Sequence, residues 1–375
     1  MSTICTFPKP TSISLHAKLD TEPVKKLKAL YASDADFRQN VAQAFSNLVN
    51  KPTGESNPWQ GKGIEDLYTF FNEWYYFLPK AEDSLDRIKE FAMLYYRNPY
   101  GLKLVKEEPG LSWTKFFVEE RGRYMDSALS KSTIDQWLNE PSLPHDDFVI
   151  PEDGFKSFNE YFTRVLKTGA RPVQGVNDAS VVVSPGDCII NMINSDITSD
   201  SQIPLKGRMT LNVGQLLGHS KYTDHFLGGT AMSCFLMPDS YHHYHSPVSG
   251  TLVESRENVG ALYFGMDDMP AMFGQGNLGF NQDFSVFEQF RHGYFVIETQ
   301  RHGYVAVIPV GLNTIGSVAF EDRFKDIDER TAIPLVKGER LGCFKYGGSL
   351  VVLIFERNRV DSIKIQQGQQ IGILH

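Results

Sequence analysis

Residues 344–356 read "FKYGGSLVVLIFE", a Lys-Tyr-Gly-Gly-Ser turn that runs straight into a β-branched, apolar stretch. A short apolar run bounded by turn formers predicts a strand behind the turn. Glycine reaches φ > 0 without penalty, and turns between strands collect Gly and Ser, so a turn alone accounts for most of the segment. It does not account for a serine on a paired-glycine turn so near the C-terminus.

Upstream of that strand, the sequence from Val181 onward repeats its character. "SVVVSPGDCII", "TAMSCFLMP", "GTLVES", "GYFVIET", "GYVAVIPV" and "SIKIQQG" are short β-rich runs separated by Gly, Pro, Asn and Asp. They predict a mainly antiparallel sheet domain. Between Gly260 and Asn281 lies a long Met- and Gly-rich stretch without period, the composition of a lid or binding loop. The first 140 residues read differently. Ile64, Leu67, Phe71, Trp74 and Leu78 step by three and four, and Leu85, Ile88, Ala92 and Tyr95 resume the pattern after Pro79, which predicts two packed helices. The aromatic stripe "LYTFFNEWYYFLP" falls at helical spacing and is expected in the core.

The fold class is therefore α+β: a helical region over 1–140, a connector over 141–154 rich in Pro and acidic residues, and a β-rich domain over 155–375. At the start of the last region Ser157 and Glu160 form a capping box for a short amphipathic helix, with Gly169 expected as its C-terminal cap.

Composition narrows the function. With 41% hydrophobic and 22% charged residues, the 375-residue chain is an ordinary globular protein. A net charge of −8 argues against nucleic acid as a partner. Cys5, Cys188, Cys234 and Cys343 are widely spaced and are expected to be reduced, as in a cytoplasmic protein. The N-terminus lacks a continuous apolar signal core, and no stretch has the roughly 18 apolar residues of a spanning helix, so membrane contact is expected to be at most peripheral.

Three polar clusters lie in the β-rich part: "SPGDC" with Asp187, "DSYHHYHSP" with His242, His243 and His245, and "YGGS" with Ser349. A carboxylate, an imidazole and a hydroxyl are the components of an activated nucleophile. Several chemistries share them. A serine hydrolase would want G-x-S-x-G between strand and helix, and Gly347-Gly348-Ser349-Leu350-Val351 lacks the last glycine. A metal site could use His243 and His245 from one face of a strand, but no carboxylate follows at close range, so no metal is expected. A lipoyl- or biotinyl-type module is echoed by "SPVSGTLVE" and "KGERLGCF", without the lysine turn that carries the prosthetic group.

Taken in order, "FNEYFTRVLKTGARP", "VVSPGDC", "YHHYHSPVSGTL", "VGLNTIGSV" and "KGERLGCFKYGGSLVVLIFE" resemble the phosphatidylserine decarboxylase family over roughly residues 155–356. The resemblance implies a proenzyme that cuts itself between Gly348 and Ser349, turning Ser349 into a pyruvoyl cofactor. It implies that His245 activates the serine, that Asp187 orients His245, and that His242 lies near the substrate and handles protons. It also implies two tightly associated chains, and leaves a homo-oligomer open. Cys188 stands where the family's acid motif has glycine, and Leu350 where the "GST" ending has threonine.

The implied reaction is loss of CO2 from an amino-acid carboxylate through a Schiff base on the pyruvoyl ketone, without pyridoxal phosphate; no glycine loop suited to that phosphate opens a helix. The family name implies phosphatidylserine as substrate and a place in phospholipid biosynthesis. The segment "WTKFFVEERGRYMDSALSKSTIDQWLNEP" and the "YGGSL" ending resemble a soluble branch that includes tryptophan decarboxylases, which tilts the expectation slightly toward a free aromatic L-amino acid. An uncleaved binding relative or a serine hydrolase is the remaining alternative.

Overall fold

The computed structural model describes residues 19–51, 54–80, 86–141, 143–195, 197, 213–264, 290–312 and 318–364. The body of the Met-rich stretch, Cys5, Leu85, the N-terminal residues read for a signal, the middle of "VGLNTIGSV" and the end of "SIKIQQG" lie outside the described residues.

Helices come first: α1 (Glu22–Ser33), α2 (Ala35–Ser46), α3 (Ile64–Tyr76), α4 (Asp86–Tyr95), α5 (Pro99–Lys106), α6 (Gly110–Asp126) and α7 (Ile134–Leu138). The expected period is realised in α3, which buries Leu67, Phe71 and Trp74, and in α4, which buries Ile88, Ala92 and Tyr95. Their rings make one aromatic core: Phe71 meets Trp113 at 4.6 Å and Phe117 at 5.0 Å, and Phe91 meets Phe264 at 4.6 Å. Edge-to-face and tilted pairs dominate, as the ring quadrupole favours. The stripe is core, as its spacing predicted.

After α8 (Phe158–Phe162) the chain turns to strands: β1 (Ile189–Ser195), β2 (Thr230–Leu236), β3 (His243–His245), β4 (Gly250–Val259), β5 (His292–Glu298), β6 (Tyr304–Leu312), β7 (Val318–Phe320), β8 (Ile333–Leu335), β9 (Arg340–Phe344) and β10 (Gly348–Phe355), with a single-turn α9 (Val213–Leu216) before β2. Seven strands form an antiparallel sheet in the order β1-β2-β10-β6-β5-β4-β8, and β3-β9-β7 form a second, smaller one.

The run that followed the glycine turn is the central β10. Leu350, Val352 and Ile354 face the helices and join their core, whereas Val351, Leu353 and Phe355 face the small sheet. Side chains alternate across a strand, so a central strand covered on both faces must be apolar at every position. Fully burying each such side chain is worth about 1.5–3 kcal/mol.

Three expectations fail locally. α8 ends at Phe162, because residues beyond Arg164 become extended and pair with the connector: Val149 N–H donates to Val165 O at 2.9 Å and Lys167 N–H to Asp147 O at 2.8 Å. Gly169 therefore sits in a turn rather than at a helix cap, although its φ of +85° is the glycine conformation expected there. Ser157 does cap α8, accepting from Glu160 N–H at 3.1 Å, while the Glu160 carboxylate takes the N–H of Lys156 rather than that of Ser157. The run before Asp187 is not a strand either; only from Ile189 does the ladder begin.

Candidate active site

Ser349 is the second residue of β10. By the strand's alternation it points with Val351 and Leu353 toward the small sheet, and it is fully buried. Upstream, Gly347 takes φ +147°, a conformation that side-chain-bearing residues rarely adopt.

The group that meets the hydroxyl is His242, just before β3, whose Nδ1 lies 3.3 Å from Ser349 Oγ. Its Nε2 faces the Pro238 carbonyl at 3.4 Å. A carbonyl only accepts, so the proton belongs on Nε2, and Nδ1 is left as acceptor for the serine O–H. Phe162 of α8 stacks on the imidazole, with centroids 3.8 Å apart and planes at 20°. Enclosure strips water from the ring and pushes its pKa down to about 3, with the Arg164 charge acting in the same direction. The ring is neutral at pH 7 with its Nδ1 lone pair facing the hydroxyl, and the same burial makes it a weak base.

His245 and Asp187 occupy the neighbouring wall. His245 Nδ1 lies 2.8 Å from Gly338 O and its Nε2 3.1 Å from the Tyr241 hydroxyl. Burial lowers its pKa, partly opposed by the Gly338 carbonyl. Asp187 is gripped by Arg171, whose Nη2 approaches Oδ2 at 2.9 Å and whose Nη1 also reaches Asp147 at 2.6 Å. Those contacts raise the Arg171 pKa further. No hydrogen bond joins Asp187 to His245 or His245 to Ser349 among the described contacts; of the four residues singled out in the sequence, the uncleaved chain brings Ser349 and His242 into contact. His243 turns its Nε2 to Thr163 O at 2.8 Å, and burial pushes its pKa down to about 4.

A cavity of about 930 Å³ opens beside His245, Asp187, Tyr241 and Arg171. Val165, Val173 and Val182 line it and stay 36–43% exposed. A smaller one of about 390 Å³ lies on the other side of Asp187 and Tyr241, near Met237 and Ile189. Ser349 and His242 line neither. Among the described residues, no cluster of His, Cys, Asp or Glu is placed to hold a metal ion, and no helix is long and apolar enough to cross a membrane.

Several contributors were not singled out in the sequence: Asn159 and Phe162 of α8, Arg171 and Tyr241. The first three lie in "FNEYFTRVLKTGARP", a segment read only as a helix and a family signature.

A family model described as phosphatidylserine decarboxylase matches residues 158–373. Among similar proteins is a phosphatidylserine decarboxylase proenzyme of Clostridium novyi, 27% identical over 284 residues, which cover 73% of this chain and 86% of that one. Phosphatidylserine decarboxylase proenzyme 2 of Oryza sativa subsp. japonica is 28% identical over 270 residues, 71% of this chain and 40% of its own length. Phosphatidylserine decarboxylase proenzyme 2 of Komagataella phaffii is 31% identical over 242 residues, 64% of this chain and 22% of its own.

Proposed function

The chain belongs to the phosphatidylserine decarboxylase family, whose members are pyruvoyl-dependent carboxy-lyases, and on that premise we propose that it matures by cutting itself between Gly348 and Ser349. The observation that carries the reading is the buried hydroxyl of Ser349 held at a neutral imidazole, directly behind a paired-glycine turn.

The uncleaved residues suit the first step. Ser349 Oγ attacks the Gly348 carbonyl carbon and its proton passes, by way of a neighbouring imidazole, to the Ser349 nitrogen; the Gly348–Ser349 C–N bond breaks, leaving an ester and a free Ser349 amine. Holding the two groups next to each other in the chain replaces an encounter by a fixed geometry. Removal of the Ser349 Cα proton then expels the Gly348 carboxylate from Cβ, and water hydrolyses the resulting enamine with loss of ammonia. The pyruvoyl ketone so formed supplies an electron sink for the departing CO2. Tight packing of residues 350–355 in the sheet keeps the small chain that begins at Ser349 attached.

Within this reading Ser349, His242, His245 and Asp187 form the catalytic set. His242 is the ring that touches the hydroxyl and is placed to receive its proton. The motif resemblance gives that task to His245 oriented by Asp187, which would need new partners for both. Separate replacements decide. Splitting lost in His242→Ala and kept in His245→Ala supports the contact; the reverse assigns activation to His245 and leaves His242 for protonation at the substrate.

For the substrate we propose phosphatidylserine. The relatives carry that name, and the open cavity beside His245 and Asp187 sets exposed valines next to charged groups such as Arg171 and Arg340, a mixture suited to the acyl chains and the charged headgroup of a phospholipid. A free aromatic L-amino acid is the second reading, raised by the sequence of the N-terminal region and the "YGGSL" ending; the names of the relatives do not support it. We also propose the division into a helical region, a connector and a catalytic domain that starts near residue 155. Intact mass of the purified protein tests the maturation, expecting a blocked 27-residue chain, 349–375. CO2 release from phosphatidylserine vesicles against that from free tryptophan tests the substrate. Active enzyme with an unbroken chain would overturn the whole reading.

A further inference from the structure

The scissile bond needs holding from both sides. Downstream, Ser349 is fixed by the ladders of β10, opposite Leu236 of β2 and Gly311 of β6. Upstream only Gly348 is paired, opposite Leu312 of β6; before it lies the turn Lys345–Gly347, and paired glycines leave that side loose unless something grips it.

The grip comes from α8. Asn159 is 3% exposed. Its Oδ1 accepts the Tyr346 N–H at 3.1 Å, and its Nδ2 donates to Asp126 Oδ1 at 3.0 Å. The other Asp126 oxygen takes the Lys345 ammonium at 2.8 Å. This amide orientation is the only consistent one, because a backbone N–H needs an acceptor and a carboxylate needs a donor. The Tyr346 ring stands edge-on to Phe158 at 5.5 Å and Phe162 at 5.2 Å, and Phe162 is the ring stacked on His242. One short helix thus sets the turn and the imidazole relative to each other.

We propose that Asn159 is a positioning residue for self-cleavage: it clamps Tyr346 so that the Gly348 carbonyl stays within reach of Ser349 Oγ. This role rests on the proposed cut at Gly348–Ser349. Asn159 touches neither reacting group and acts through the backbone two residues upstream. Intramolecular attack is sensitive to placement, with a displacement of about 1 Å costing about a hundredfold.

The test is a pulse of labelled full-length chain from cell-free translation, followed on denaturing gels as it splits. Asn159→Ala is expected to split at least about tenfold more slowly than the parent chain. Asp126→Asn, which keeps an acceptor for the amide, should slow splitting less than Asp126→Ala. The double variant Asn159→Ala/Asp126→Ala should lose less than the sum of the two single effects, because the amide–carboxylate contact is shared and only the Lys345 ion pair adds separately. Hydroxylamine, which cuts an accumulated ester, should not restore the Asn159→Ala rate, since the defect precedes the ester. Thermal melts in the Ser349→Ala background, where every molecule is one chain, separate placement from folding. Equal splitting of Asn159→Ala and the parent overturns the inference, as does a slowing matched by loss of folded protein in the melts. A parent chain that never splits at 348/349 sinks the functional reading instead, so the two failures are told apart.

Discussion

Burying His242 as a neutral ring should make the protein acid-sensitive through that one side chain. An unfolded imidazole titrates near 6.5, and the folded ring is held down to about 3 by desolvation and then by Arg164. The folded state therefore disfavours the proton, and stability is lost as pH falls below the unfolded value, levelling off below the folded one. At pH 5 the unfolded ring is about 97% protonated and the folded ring almost entirely neutral, so the loss is about 2 kcal/mol, from about 1.36 kcal/mol per tenfold. That figure is set by the unfolded chain, because any folded pKa below about 4 leaves the ring neutral at pH 5. Urea unfolding at pH 7.5 and 5.0 should be compared for Ser349→Ala and for Ser349→Ala with His242→Phe. Phenylalanine keeps a ring against Phe162 but cannot titrate, and His243, whose lowered pKa also costs stability in acid, is common to both. The double variant should lose about 2 kcal/mol less over this interval than Ser349→Ala alone. Equal losses in the two chains would show that His242 is not held neutral in acid, and would refute the desolvation assigned to its enclosure by Phe162.

Phe162→Ala removes the ring stacked on His242 and should cost about 3–5 kcal/mol by urea unfolding, while slowing self-cleavage on gels through the loosened imidazole. Leu353→Ala, in the middle of β10, should cost about 2–5 kcal/mol and let the small chain leave at lower urea, read by size exclusion after splitting. Arg171→Ala breaks the link to Asp187 and Asp147, but all three groups are about a third exposed, so stability should change by less than about 1 kcal/mol. A fall in splitting or decarboxylation rate beyond that small change would place Asp187 in the chemistry; unchanged rates would remove it.

What could be read from the sequence was what repeats locally. Six consecutive apolar residues after Ser349 announced a strand, and steps of three and four announced α3 and α4, because burial imposes those periods along the chain itself. The end of α8 could not be read that way. Thr163–Lys167 could continue a helix, and it is the pairing of Lys167 with Asp147 and of Val165 with Val149 that pulls the segment straight. The site divides along the same line. Ser349, His242, His245 and Asp187 were legible as chemical types in motifs. That His242 rather than His245 meets the hydroxyl depends on a contact 107 residues apart, and the Asn159–Tyr346 clamp spans 187. No local pattern encodes either.

On the proposed reading, the place of the serine in β10 also accounts for how the chain would cut its own central strand and keep its sheet. The pairing of β10 with β2 begins at Ser349, and its pairing with β6 begins one residue earlier, at Gly348 opposite Leu312. A break between Gly348 and Ser349 therefore removes a single residue from one ladder and none from the other. Val351, Leu353 and Phe355 remain packed toward the small sheet, and Leu350, Val352 and Ile354 toward the helices. Had the serine stood at Leu353, the same reaction would have left half of each ladder on a severed end. The upstream stump is a turn held by side chains, so it can shift once cut while the strand behind it cannot. Such a shift is needed on the proposed reading, because Ser349 is fully buried in the uncleaved chain and the residues that seal it are those of the turn and α8. Burial that shields an ester from premature hydrolysis must later admit both water and substrate, and a cut at the first rung of the strand frees the side that has to move.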